Sequence, residues 1–382
     1  MIDEDILGQD FESYLNRIRC FTDEELIPRE DEMVNAGEVP ADLVDRMAQL
    51  GLFGITLPRR WGGLGWTVEQ QVLLTLEFTR ASCVYRSRFS TTIGLCSQVL
   101  LDYGTDVQRR RHLAAMAGGE RVAAFALTEP EAGSDAGAVS TTAVRDGEHY
   151  VLNGRKRYIT NAAWADLLVV FARTEQGPSA FLVDMPASGV CTRLPRRMNG
   201  HEAGPVAEID LVDVRVPAEN LIGGEEGVGL KQALRGINHA RTHVAATAVG
   251  QATRLLAEAT GHAVHRNQFG APLADLGVVE SMLGRSYAEL AAGRALVLDC
   301  ARAFDTGPIP HHRIAAAKLF CTEMANTVAD RAVQILGGEG IVGDHPVPRM
   351  WRDVRALRIY EGASQVHERN LARHLKSAVG GS

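Results

Sequence analysis

Five short segments of the chain combine residue types that can do chemistry. Residues 359–365, Ile-Tyr-Glu-Gly-Ala-Ser-Gln, set the carboxylate of Glu361 before a glycine, between apolar residues and the start of a helix. Such a carboxylate is either partly desolvated, with its pKa raised, or a helix-start acid meeting the positive end of the helix dipole; alone, the segment supports both. Residues 126–135, Ala-Leu-Thr-Glu-Pro-Glu-Ala-Gly-Ser-Asp, are dense in hydroxyls and small side chains, with Pro130 and Gly133 setting sharp turns. A loop of this kind exposes backbone N–H groups to a polar ligand, or is an ordinary surface turn. Residues 156–161, Lys-Arg-Tyr-Ile-Thr-Asn, read as a strand with one amphipathic face. Arg266, at a helix end in Arg-Asn-Gln-Phe-Gly, can meet a phosphate or be a solvated helix end. The fifth segment is 334–338, from Gln334 to Gly337 and Gly338.

One motif misleads. Residues 338–343, Gly-Glu-Gly-Ile-Val-Gly, fit GxGxxG with Glu361 about twenty residues on, but a dinucleotide-binding turn needs a strand immediately before it. Here a long helical stripe precedes the glycines, so they read as a helix end and a loop that brings backbone close to something.

The elements that must position these segments fall in the order helical, β, helical. Leu43, Met47 and Leu50 share a helical face that stops at Gly51. Thr67, with Glu69 and Gln70 in the following turn, caps a helix through 80. Further helices are expected over 88–103 and 106–117. From about 122 the texture changes to short runs at 139–144, 167–172, 180–183 and 206–211, separated by turn signals at Asn153-Gly154 and Gly177-Pro178. After Gly223-Gly224 helical stripes return, at Val244, Ala248, Ala252, Leu255 and Ala259, then at Ile314, Ala317, Cys321, Met324 and Val328. The expected divisions are an N-terminal helical domain over 1–122, a β domain over 123–223 and a helical domain over 224–382.

The bulk numbers narrow the function classes. With 46% hydrophobic and 23% charged residues among 382, the chain has the composition of a globular protein with a large core. Forty basic against 47 acidic residues give a net charge of −7 with no basic block, which argues against nucleic acid or an anionic membrane as partner. No apolar run approaches the ~20 residues of a membrane span, and the acidic start is neither signal nor transit peptide. Six scattered cysteines without CxxC or metal-like spacing suggest thiols in a reducing compartment, hence a cytoplasmic protein without a metal site.

Taken together the segments resemble the acyl-CoA dehydrogenase family. Residues 126–138 match that family's flavin motif, and Gln334, Gly337-Gly338-x-Gly340, Asp344, Arg349 and Asp353 match its C-terminal one. Leu57-Pro58 before Gly62-Gly63, the run 216–221, Phe269-Gly270 and Pro272-Leu273 agree. The resemblance covers nearly the whole chain. It implies an α+β multidomain fold: an all-α N-terminal domain, a middle β-barrel or sandwich, and a C-terminal four-helix bundle. It implies FAD between the last two, lined by Phe125, Leu127, Thr128, Ser134, Tyr158, Ile159 and Thr160, with Ala363 and Gln365 alongside. Arg266, Gln268, Phe269, Gln334, Gly337 and Gly338 would hold the adenine and pyrophosphate end across a subunit interface. Ser134, Asn238, Arg241, Tyr360 and Gly362 would contact substrate.

Glu361 falls on the family's catalytic base. Some members carry the base on the earlier helix, before the arginine; that position here is Ala240. Three departures stand out: Ala363 where threonine is frequent, Leu276-Gly277 where a pair often ends in glutamine, and Asn238 where an acid is common in the medium-chain type. The implied reaction is α,β-dehydrogenation of an acyl thioester. Glu361 takes the α-proton and the β-hydrogen leaves as hydride to flavin N5, while the ribityl hydroxyl and the Glu361 N–H hold the thioester carbonyl. The substrate is an acyl-CoA or, alternatively, an acyl group on an acyl carrier protein; the acceptor is an electron-transfer flavoprotein, and the assembly is a homotetramer or dimer. A flavin monooxygenase or nitroalkane-type oxidase on this fold does not use a glutamate at this position, and a non-enzymatic relative would have lost the base or the flavin loop.

Overall fold

The computed structural model describes residues 6, 8–195, 198–308, 310–342 and 345–380, so Gly343 and Asp344 of the sequence motifs lie outside the described residues. The N-terminal helices are α1 (Phe11–Cys20), α2 (Glu30–Ala36), α3 (Ala41–Gln49), α4 (Val68–Phe78), α5 (Cys83–Thr91), α6 (Ser97–Tyr103) and α7 (Asp106–Ala117). Thr67 accepts from the Gln70 amide while Gln70 reaches back to the Thr67 N–H, closing the expected capping box. The helix expected over 88–103 begins earlier, at Cys83, because Ser82 caps it; a π-turn at Thr92–Cys96 joins α5 to α6.

The middle region is one seven-stranded sheet of β1 (Ala123–Ala126), β2 (Thr142–Asp146), β3 (His149–Thr160), β4 (Leu167–Thr174), β5 (Gly177–Asp184), β6 (Val190–Arg193) and β7 (Val206–Pro217). The order is β1-β4-β2-β3-β7-β6, with β5 paired to β4. Both turn signals are displaced. Gly177 and Pro178 open β5, and the hairpin turns on Glu175-Gln176. Asn153-Gly154 lies inside β3, at a bulge where its register against β7 shifts. There a Cβ on Gly154 would stand 2.4 Å from Thr141 Oγ1, so the glycine serves close approach rather than reversal.

The C-terminal helices are α8 (Gly229–His265), α9 (Gly277–Thr306), α10 (His311–Leu336), α11 (Pro346–Leu357) and α12 (Ser364–Gly380). A short hairpin, β8 (Asn267–Gln268) and β9 (Ala271–Pro272), joins α8 to α9. The predicted stripes of α8 and α10 face each other in the bundle core. That α10, not a strand, precedes Gly337–Gly340 agrees with the rejection of a dinucleotide-binding turn. Among the described residues no helix is long and apolar enough to cross a membrane.

Two features lock the layers around the site. Ala233 and Ala240, near the start of α8, pack into one cluster with β1, β4 and β5 and with α6 and α7, so α8 runs between the sheet and the bundle. Glu30, only 2% exposed, accepts from the Ser82 amide at 2.6 Å, Arg254 at 2.8 Å and Arg349 at 2.5 Å. Asp353 accepts from the His201 amide at 2.6 Å. Arg349 and Asp353 of the C-terminal motif therefore tie α11 to the rest of the chain.

Candidate active site

A cavity of about 2090 Å³ opens between the sheet, α5, α8 and the start of α12. Phe125, Leu127, Thr128, Ser134, Tyr158, Ile159, Thr160, Asn238, Arg241, Tyr360, Glu361, Gly362 and Ala363 all line it. The structure thus gathers in one place residues that stand more than two hundred positions apart in the chain.

The flavin-motif segment is held by a buried ion pair. Lys156 on β3 donates to Glu129 at 2.7 Å, to the Leu127 carbonyl at 3.2 Å and to the Phe171 carbonyl at 2.6 Å. Glu129 also accepts from the Ser140 and Thr141 amides, at 2.6 and 3.0 Å, and the Arg157 amide donates to the Thr128 carbonyl at 2.8 Å. Burial pushes the Glu129 carboxyl up, but Lys156 and the hydroxyl and amide donors outweigh it and hold the pKa at about 2. These bonds fix residues 127–129 as a wall of the cavity, while 130, 131 and 133–135 form an exposed turn at its edge.

On that wall and its edge Thr128, Ser134 and Thr160 have hydroxyls with no protein partner among the described residues, beside apolar Phe125, Leu127 and Ile159. Unpaired polar edges around an apolar floor suit a flat aromatic ring with polar rims, and FAD fits this donor set.

Glu361 has φ +54, and Gly362 φ +98. Arg241 Nε donates to the Glu361 carbonyl at 2.9 Å, and Arg241 Nη1 to Asn238 Oδ1 at 2.8 Å. Lys318, fully buried on α10, donates to the Gly362 carbonyl at 2.7 Å. These bonds pin the turn that presents the Glu361 carboxylate; Arg241, expected to contact substrate, holds the backbone of Glu361. A Cβ on Gly362 would stand 3.0 Å from His367 Nε2 and 3.3 Å from Arg241 Nη2, so the turn also requires glycine.

Burial raises the Glu361 pKa above the ordinary carboxylate value, against the pull of Arg241, Lys318 and Arg86. Of the two sequence readings of the Glu361 carboxylate, the raised pKa matches partial desolvation rather than a helix-start acid. Lys318 is itself brought down to about 8 by burial, although Glu361 draws it up. The Glu361 amide donates to no acceptor among the described residues, which leaves it available to a ligand oxygen.

Seven expected residues do not line the cavity. Arg266, Gln268 and Phe269 sit on the exposed β8–β9 hairpin, with Phe269 at φ +53 and 93% exposed. Gln334, Gly337 and Gly338 end α10 at the surface, and Gln365 is exposed in the first turn of α12. Within one chain none of them reaches the site.

The sequence reading missed two cations. Lys318 sits inside the apolar stripe of α10, four residues after Ile314 and three before Cys321; a lysine within such a stripe was the available signal. Arg86 on α5 carried no signal, since the helix around it has no clear apolar face. It lines the cavity and makes no hydrogen bond or ion pair among the described residues. Burial lowers its pKa to about 10, with Tyr360, Cys83 and Glu361 acting the other way.

Comparison with known proteins agrees with this arrangement. Family models match the acyl-CoA dehydrogenase N-terminal domain over residues 9–120, the middle domain over 124–214 and the C-terminal domain over 227–376. The chain is 37% identical to the 3-(aryl)acrylate reductase of Clostridium sporogenes, over 94% of this chain and 96% of that one. It is 38% identical to the caffeyl-CoA reductase-Etf complex subunit CarC of Acetobacterium woodii, over 88% and 90%. Among solved structures, butyryl-CoA dehydrogenase from Megasphaera elsdenii superposes with TM-score 0.91 at 31% identity, over 98% and 99% of the two chains. A glutaryl-CoA dehydrogenase in complex with glutaryl-CoA superposes with TM-score 0.92 at 30% identity, over 98% and 96%. The chain belongs to the acyl-CoA dehydrogenase family, and is an FAD-dependent oxidoreductase acting on the CH–CH bond of acyl thioesters.

Proposed function

We propose that Glu361 is the base that removes the α-proton, and that the acyl group it acts on ends in a carboxylate or similarly anionic group facing Arg86. The first part is carried by the Glu361 carboxylate, desolvated on the cavity wall with its backbone clamped by Arg241 and Lys318. A base whose pKa is raised toward working pH accepts a carbon-bound proton more readily than an ordinary carboxylate. The unpaired Glu361 N–H is the chain's donor to the thioester oxygen on which charge gathers as the proton leaves. Phe125, Leu127, Thr128, Ser134, Tyr158, Ile159 and Thr160 would hold FAD, which would supply the acceptor for the β-hydrogen as hydride. Proton and hydride leave from adjacent carbons, so the product is the 2-enoyl thioester. Both relatives compared above are named reductases, and the same site serves either direction according to the redox partner. The relative named with an Etf complex supports an electron-transfer flavoprotein as that partner. The exposed Arg266, Phe269 and Gln334 suit a second subunit's cofactor better than their own.

The second part rests on Arg86. A guanidinium in a poorly solvated pocket without a counter-ion is costly, and an anion arriving with the substrate relieves that cost. Ser90 and Thr91 line the same wall and add hydroxyls around that position. Glutaryl-CoA, bound in one similar structure, is an acyl thioester with such a terminus. The test is anaerobic bleaching of the FAD-loaded protein with thioesters of equal length ending in methyl or carboxylate. The carboxylate series should reduce the flavin faster at low concentration; a preference for methyl-ended chains contradicts the Arg86 reading but leaves the dehydrogenase reading intact.

A further inference from the structure

The cavity mouth is rimmed by arginines from three helices: Arg302 on α9, Arg313 on α10, and Arg369 and Arg373 on α12. The first two are neutralised, Arg302 by Glu69 at 2.8 Å and Arg313 by Asp299 at 3.2 Å. Arg369 and Arg373 have no carboxylate within ion-pair distance among the described residues. With Lys376 they stand at i, i+4 and i+7, one face of α12, which at 1.5 Å per residue extends about 10 Å from the mouth. Residues 372–379 are all exposed, Leu375 at 66%; His374 stacks on His312 of α10 with ring centroids 4.1 Å apart, and beyond it Leu375 and Lys376 have no partner on another element among the described residues.

We propose that this face of α12 docks an acidic carrier protein that bears the acyl group on a phosphopantetheine arm, the arm entering beside Arg369 and Arg373. The proposal rests on the thioester reading above and names its carrier. The chain's net charge is −7, so an acidic protein is repelled by the molecule as a whole and attracted only where the sign reverses. That reversal is located beside the cavity that a tethered thioester must enter. A coenzyme A nucleotide can meet the arginines at the mouth, but Lys376 and exposed Leu375, further along the helix, serve only a larger partner.

The same acyl group is presented to the FAD-loaded enzyme on pantetheine, on CoA and on an acidic acyl carrier protein, with flavin bleaching and KM as readouts. The carrier-protein thioester should show a KM at least tenfold below that of the CoA thioester at low salt, rising steeply with ionic strength. Leu375→Glu with Lys376→Glu should raise the carrier-protein KM at least tenfold, while the pantetheine KM and the FAD content stay within twofold. Equal KM for carrier protein and CoA overturns the proposal. So does loss of FAD in the double variant, which assigns this face to the cofactor, or a change in assembly size, which assigns the face to a second copy. Bleaching by the pantetheine thioester separates these results from failure of the dehydrogenase reading, under which no carrier gives bleaching.

Discussion

Lys318 donates to the carbonyl of Gly362 at 2.7 Å, so a buried ammonium on α10 holds the residue next to the base and lies close enough to act on its charge. Burial raises the Glu361 pKa; Arg241, Lys318 and Arg86 each pull it down. Lys318→Met removes one of these pulls, so the Glu361 pKa moves further up. Because the base acts only when deprotonated, the acid limb of the pH–rate profile should shift to higher pH. Flavin bleaching followed across pH measures this; an unmoved or lowered limb would show that Lys318 has no electrostatic hold on the base.

Gly362→Ala should impair both stability and rate. A Cβ there sits 3.0 Å from His367 Nε2 and 3.3 Å from Arg241 Nη2 at φ +98. The backbone conformation alone costs about 1–3 kcal/mol in a residue with a side chain, and the clash displaces Arg241, which holds Glu361. Thermal melting and kcat check the two effects; wild-type values in both would show that the turn relaxes freely.

Breaking the Glu129–Lys156 pair should loosen the flavin wall. Glu129→Gln leaves Lys156 buried without a counter-charge, at a cost of about 3–5 kcal/mol. The variant should melt earlier and lose FAD on gel filtration. The pH dependence has a definite sign. The folded-state pKa of Glu129, about 2, lies below its ordinary 4.5. Its stabilisation is therefore complete above pH 4.5 and is lost as pH falls from there through about 2. Urea titrations of the wild type should lose stability over that interval by a contribution absent from the variant.

Arg86→Met should discriminate between substrates. For a carboxylate-ended acyl chain, removing a desolvated partner costs about 2–5 kcal/mol of kcat/KM, whereas methyl-ended chains should be unaffected or improved. Equal losses on both series would make Arg86 a structural residue.

What the sequence could and could not disclose follows from the range of the interactions. The capping box at Thr67 and Gln70, the buried stripes of α8 and α10, and the helix Asp106–Ala117 depend on neighbours within a turn or two, and all were legible. The Asn153-Gly154 pair has the chemistry of a tight turn, yet Thr141 on the adjoining segment and the pairing of β3 with β7 make it a bulge; tertiary contacts overrode a local signal. Glu361 and its glycine were legible as a motif. Their support was not, because Arg241 and Lys318 come from 120 and 44 residues away. Arg86 was missed for a related reason: its significance is the lack of a partner, which appears only once the cavity is assembled.

The central claim is that Glu361 removes the α-proton. Glu361→Gln keeps the shape and hydrogen-bonding reach of the side chain but cannot serve as the base. With equal FAD content, wild type and variant are mixed anaerobically with a thioester that bleaches the wild-type flavin. Bleaching in the variant should slow by about 10²–10⁴-fold, with substrate binding retained. Bleaching at the wild-type rate in FAD-loaded Glu361→Gln would contradict it.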